Sequence, residues 1–144
     1  MLKEAADAYG ELAEIGYRGA EGYALAAGAY SRLKDYTKAN EILTKGRAKL
    51  GNDKTILLEI VRLNMLQGDN VKAEQALADA IAADPKNKQL HFIIGTIYTE
   101  LGQDEKAETA LLKALEIDPN YQEAQYNLGA HYVTWATRLR DEAN

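Results

Sequence analysis

Residues 90–121 read LHFIIGTIYTELGQDEKAETALLKALEIDPNY. Moved back by 34 positions, the stretch falls on ILLEIVRLNMLQGDNVKAEQALADAIAADPKN, residues 56–87. The chain's two prolines, Pro85 and Pro119, stand 34 residues apart, and so do Gly68 and Gly102, Ala73 and Ala107, and Ala80 and Ala114. A fixed period of this size marks short units that cannot bury their apolar faces alone and must lie against neighbours. It restricts the chain to a repeat architecture before any single residue is considered.

Each period holds two runs with helical spacing of apolar residues, separated by a turn. The register divides the chain into a half unit (1–19), three full units (20–53, 54–87 and 88–121) and a last segment (122–144). Seven helices are expected. In the half unit, Ala5, Ala8, Tyr9, Leu12 and Ile15 form the stripe, and Gly16 and Gly19 stop the helix. The first full unit carries Tyr23, Ala26, Ala27 and Tyr30. It breaks near Lys34 and Asp35, then continues with Ala39, Ile42, Leu43 and Gly46. Gly51 stands where later units have proline, and Asp53 is placed to cap the next helix.

The second unit carries Leu57, Ile60, Val61, Asn64 and Leu66, turns at 67–70, and resumes with Ala73, Ala76, Leu77, Ala80 and Ile81. The third repeats this layout. Asp104 and Glu105 suit a helix start, and Asn120 with Glu123 reads as a capping box for the last segment. That segment begins as a fourth unit and then departs. No glycine or proline interrupts residues 130–144, so one helix of about six turns is expected there. Leu128, Tyr132, Trp135 and Leu139 form its stripe, and Arg138 and Arg140 lie near its C-terminal dipole.

Composition removes several function classes. Net charge is −5 with both signs interspersed, so the Lys and Arg clusters that neutralise nucleic-acid phosphates are lacking. The absence of cysteine excludes disulfides and thiolate chemistry and leaves the redox compartment undecided. No stretch approaches the ~18–20 apolar residues of a membrane helix, and the charged, alanine-rich start is unlike a signal peptide. Cytoplasm and periplasm both remain open. His91 shares a column with Tyr23 and Leu57 and reads as a packing residue, while His131 lies beside a tyrosine column. Zinc would need three or four convergent ligands. No P-loop, HExxH or nucleophile elbow is present, so neither catalytic residues nor a cofactor are expected.

These residues resemble the tetratricopeptide repeat (TPR) family. Ile94-Gly95 and Leu128-Gly129 stand for its Leu-Gly pair, less closely Ala26-Ala27. Tyr30, Tyr98 and Tyr132 stand for its tyrosine. Ala39, Ala73 and Ala107 stand for its first alanine, and Gly46, Ala80 and Ala114 for its second. Departures are Val61, Asn64 and the leucines Leu43, Leu77 and Leu111 in place of an aromatic. The resemblance covers nearly the whole chain. It implies an all-α fold: a right-handed α-solenoid (superhelix) of stacked antiparallel helix pairs, with about three full units and a half unit at each end. The unfinished halves are those expected of a piece cut from a longer array.

In this family the first helix of each unit lines the inside of the superhelix. The register carries that role to Glu21, Ala24, Gly28 and Arg32; Thr55, Leu58, Arg62 and Met65; Gln89, Phe92, Thr96 and Thr99; and Glu123, Tyr126, Ala130 and Val133. The expected peptide-binding groove is Leu58, Arg62, Met65, Phe92, Thr96, Thr99, Tyr126, Ala130 and Val133. Some family members clamp a terminal carboxylate with Lys, Asn and Arg on these columns. Here the columns read Ala24, Leu58, Phe92, Tyr126 and Gly28, Arg62, Thr96, Ala130, with one cation, which disfavours such a clamp. The expectation is a protein-interaction scaffold whose partner is a peptide or helical segment. The alternatives are self-association through the array ends, Trp135 and Leu139 above all, or service as the repeat region of a larger enzyme or secretion component.

The small columns exist so that paired helices can approach closely. Ala107→Leu is therefore expected to lower stability by about 1–3 kcal/mol through overpacking. Thermal unfolding checks this, and an unchanged midpoint would reject the register.

Overall fold

The computed structural model describes residues 2–144. These residues form eight helices: α1 (Leu2–Glu14), α2 (Ala20–Arg32), α3 (Tyr36–Leu50), α4 (Lys54–Leu66), α5 (Asn70–Ala83), α6 (Lys88–Glu100), α7 (Asp104–Ile117) and α8 (Gln122–Ala143). The expected number of seven is corrected to eight, because a half unit, three pairs and a further half require that many. The fold is all-α, built of antiparallel helix pairs. Two compact units divide the chain, one ending at Ala83 and the other starting at Asp84.

In the first unit, α2 and α3 meet through the residues the spacing assigns. Tyr23, Ala26, Ala27 and Tyr30 are buried on one helix, and Ala39, Ile42, Leu43 and Gly46 on the other. Gly46 is dictated by crowding: a Cβ there would lie 2.8 Å from Tyr23 Cγ and 3.0 Å from Ile56 Cδ1. The turn between the helices places Lys34 at φ 58°, and the Asp35 carboxylate then accepts from the Lys38 N–H at 3.1 Å. Gly51 leaves α3 at φ 69°, and Asp53 caps α4 by accepting from the Thr55 N–H at 2.8 Å.

The apolar stripe expected of α4 is corrected at one end. Leu57, Val61 and Asn64 are buried and Ile60 is half-buried, but Leu66 is 59% exposed. Nine residues at 3.6 per turn put Leu66 on the side of the helix opposite Leu57. Asn64, where the pattern has tyrosine, satisfies its amide by donating to the Ile60 carbonyl at 2.8 Å.

Helix α1 turns the other way from the expected stripe. Ala5, Ala8, Tyr9, Leu12 and Ile15 are exposed, and Ala6, Gly10 and Ala13 are buried instead. Close approach decides this orientation. A Cβ on Gly10 would lie 3.3 Å from the Tyr30 hydroxyl, so α1 rests its smallest residues on α2. The Tyr30 hydroxyl donates to Asp7 Oδ1 at 2.8 Å, and burial, aided by that bond, pushes its pKa up to about 12. Lys45 Nζ meets Glu14 at 2.5 Å across the same side.

In the second unit, α6 and α7 close most tightly at Gly95, where a Cβ would lie 2.6 Å from Leu111 Cγ. Ala107, Ala110, Leu111 and Ala114 face that contact as buried residues. His91 is a packing residue, as expected: it is 5% exposed and its Nε2–H donates to the Pro85 carbonyl at 2.7 Å. Lys88, at the start of α6, is ion-paired with Asp118 just past α7. That hydrogen bond holds the lysine above its ordinary pKa and the aspartate below its own.

Helix α8 runs 22 residues without a break, as expected, but two of its details differ. The capping box does not form. Tyr121 is the N-cap without a side-chain hydrogen bond, and the Asn120 N–H donates to Asp118 Oδ1 at 3.0 Å. The stripe is also rotated. Tyr132 and Leu139 are 42% and 54% exposed, Leu128 and Trp135 are half-buried, and the buried residues are Ala124 and His131.

Gly129 occupies the column of Gly95 one period later, yet a Cβ there would meet nothing within 4 Å. One substitution should therefore have opposite effects at the two positions. Gly129→Ala is expected to gain about 0.5–1 kcal/mol from helix propensity. Gly95→Ala is expected to lose about 1–3 kcal/mol from overpacking. Urea unfolding of both variants checks the pair; the same sign at both positions would contradict the packing.

Candidate functional site

In the first unit, the turn after α2 and the capped start of α4 bring the facing sides of these helices across a cleft of about 450 Å³. Gly28, Ser31 and Arg32 of α2 line one side, Glu59, Arg62 and Leu66 of α4 the other, and Tyr36 of α3 one end. Ala27, Leu43 and Leu63 form its apolar floor, each no more than 2% exposed. Arg62 is displayed, as the register expects, and is ion-paired with Glu59 one turn earlier. Leu58 is not displayed: it is 8% exposed and belongs to the core. Met65 is half-buried and does not line the cleft. The sequence reading did not name Ser31 and Tyr36, and it placed Leu66 in the apolar stripe of α4 rather than beside a cleft.

In the second unit, the named residues lie on α6 and α8. Phe92 is half-buried against Tyr121, with ring centroids 5.4 Å apart. Lys88 Nζ lies 5.0 Å from the Tyr121 ring on the same cluster, and burial is the main cause of the raised Tyr121 pKa. Thr96 and Thr99 direct their hydroxyl protons inward, to the Phe92 carbonyl at 3.1 Å and the Gly95 carbonyl at 3.0 Å. Tyr126, Ala130 and Val133 are exposed on α8, Tyr126 at 78% and Val133 at 68%. They sit four, three and seven residues apart, so they share one side of that helix.

His131 holds α8 in this orientation. It is 2% exposed, its Nε2–H donates to the Asp104 carbonyl at 3.1 Å, and its Nδ1 faces Thr99 Oγ1 at 3.4 Å. Arg138, two turns on, is ion-paired with the Asp104 carboxylate. The sequence placed His131 beside the tyrosine column but gave no sign of this seat, because its partner is a backbone carbonyl. Among the described residues no group of His, Asp and Glu is arranged to hold a metal ion, and no helix is long and apolar enough to cross a membrane.

The TPR repeat family model matches residues 95–134, which run from Gly95 of α6 through α7 into α8. Solved structures match over far more of the chain. The first TPR domain of Spaghetti (RPAP3), bound to the HSP90 peptide SRMEEVD, is 19% identical, with a TM-score of 0.60 over 83% of this chain and 94% of its own. The second TPR domain of human RPAP3, in complex with the HSP70 peptide SGPTIEEVD, is 20% identical, with a TM-score of 0.59 over 81% of this chain and 98% of its own. MamA (41-end) from Desulfovibrio magneticus RS-1 is 22% identical, with a TM-score of 0.63 over 94% of this chain and 76% of its own. This chain has the tetratricopeptide repeat fold. No curated protein matches it by sequence.

Of the residues above, Arg62, Tyr126, Ala130 and Val133 are exposed, on α4 and α8. The seat of α8 sets where Tyr126 and Val133 point. His131→Ala is expected to lower stability by about 1–3 kcal/mol by removing a buried hydrogen bond. Denaturation followed by Trp135 fluorescence checks this, since that ring lies 5.7 Å from the imidazole. Unchanged stability would mean that His131 does not seat the helix.

Proposed function

We propose that this chain is a non-catalytic scaffold that binds a peptide or helical segment of a partner protein on the uncovered sides of its first helices. The supporting observation is Tyr126 with Val133, two large apolar side chains two turns apart on α8 with 78% and 68% of their surface in water. Paired exposed apolar residues of this kind are what a partner's anchor side chains bury. The RPAP3 domains are bound to peptides of HSP90 and HSP70 on the same fold. The groove residues proposed for this chain are Leu58, Arg62, Met65, Phe92, Thr96, Thr99, Tyr126, Ala130 and Val133. Tyr126 and Val133 are the strongest of these by exposure, and Leu58 is the weakest. Arg62 alone is basic on the clamp columns, so the partner's anchors are apolar rather than a terminal carboxylate.

The test is a pull-down from the native source with wild type and with the Arg62→Glu, Tyr126→Ala double variant, compared by mass spectrometry. A protein held by the wild type and lost by the variant is the expected result. Identical lists, with helicity unchanged, would reject these faces as the binding surface.

Self-association through α8 is the second reading, favoured by Leu139 at 54% and Tyr132 at 42% exposure on that helix. Sedimentation decides it. A mass that rises with concentration supports this reading, and a monomer mass at every concentration rejects it.

A further inference from the structure

The lining of the cleft between α2 and α4 is basic. The chain as a whole is acidic, with net charge −5. Three cations, Arg32, Lys34 and Arg62, line this cleft against the single carboxylate of Glu59. Arg62 is paired with Glu59, while among the described residues Arg32 and Lys34 have no ion pair. Beneath these charges lies the apolar floor, and Leu66 stands beside it with 59% of its surface exposed.

We propose that this cleft receives an acidic side chain and an adjacent apolar side chain from an extended segment of a partner protein. The proposal rests on the scaffold reading and names the chemistry of the ligand at one of its faces. The carboxylate would lie against the Arg32 guanidinium and Lys34 ammonium, which the fold leaves uncompensated. Guanidinium groups take carboxylates in a two-point fork, a stronger arrangement than a single neutral hydrogen bond. The apolar neighbour would cover Leu66 and the floor. A volume of about 450 Å³ fits one or two side chains and excludes a folded element.

Gly28 supports an extended ligand. A Cβ at this position would meet nothing within 4 Å, so the wall of α2 is open to the cleft there. The same fact supplies a plug. Gly28→Leu projects a side chain into the space a ligand would use and meets no neighbour at its first carbon. Among the described residues no Asn or Gln lines the cleft, so it lacks the carboxamide donors suited to holding a chain terminus. The carboxylate it fits belongs to a side chain within the segment.

The test uses the full chain and a library of acetylated, C-terminally amidated octapeptides, so that no peptide carries a terminal charge. Selection on the wild type is expected to enrich Asp or Glu next to Leu, Ile or Met. A selected peptide should lose about tenfold or more in affinity for Arg32→Glu, and similarly for Gly28→Leu. Changing its acidic residue to the amide should do the same. No enrichment over the Gly28→Leu protein, or equal affinity for Arg32→Glu, would overturn the proposal. Circular dichroism establishes that both variants are folded, and Arg32→Glu suffices alone if the leucine variant is not. A native partner retained by both cleft variants and lost by Tyr126→Ala would overturn the cleft and leave the scaffold reading standing. A partner lost by none of the three would overturn both.

Discussion

The contact on which two of the three full helix pairs depend is a large side chain closing on a backbone that has given up its own. Leu111 does this at Gly95, and Tyr23 with Ile56 does it at Gly46. At such points the distance between helix axes is set by a single missing methyl group. Interiors packed to crystal-like density leave no slack to absorb it elsewhere. The small columns, Ala39, Ala73, Ala107, Ala80 and Ala114, extend the constraint along the pairs, and each of these residues is fully buried. Once the small faces meet, the remaining sides of the first helices are left uncovered. The candidate interaction surfaces are thus a consequence of the packing rule.

Where the large partner is missing, the chain seats its helices by other means. α8 carries the same small residue as α6, yet no leucine fills the space at Gly129. It is placed instead by His131 and Arg138, both engaging Asp104. α1 lies on α2 through Ala6, Gly10 and Ala13, and Tyr30 reaches across to Asp7. The two helices outside the full pairs therefore rest on polar contacts and small residues, and many of their larger apolar side chains, such as Tyr9, Leu12, Tyr126 and Val133, face water.

That division explains what the sequence discloses. The interior helices follow a 34-residue period, and apart from Leu58 and Leu66 of α4 most of their burial pattern and breaks are readable from spacing. Tyr23, Ala27, Leu43 and Ala107 all lie where the pattern puts them. Hydrophobic periodicity failed at α1, where Tyr9 and Leu12 look like core and are not. Close approach of glycine and alanine outweighed their apolar area, and a moment of hydrophobicity does not register small size. It failed again at α8, where a backbone carbonyl is the partner of His131 and leaves no trace in side-chain patterning. Among the site residues, Arg62, Tyr126 and Val133 were legible as displayed positions. Leu58 was not, because a column shared with displayed residues does not guarantee the same exposure: Leu58 is buried. Arg32 was placed on the displayed side by the register, but its lack of a partner appears only in three dimensions.

The packing rule can be tested by a double-mutant cycle on Gly95→Ala and Leu111→Ala, with stability measured by urea unfolding. If the leucine is what requires the glycine, the cost of Gly95→Ala should vanish or reverse once Leu111 is shortened, giving a coupling of about 1–3 kcal/mol. If the two losses simply add, the glycine is present for another reason. The contact proposed to set the helix spacing would then not set it.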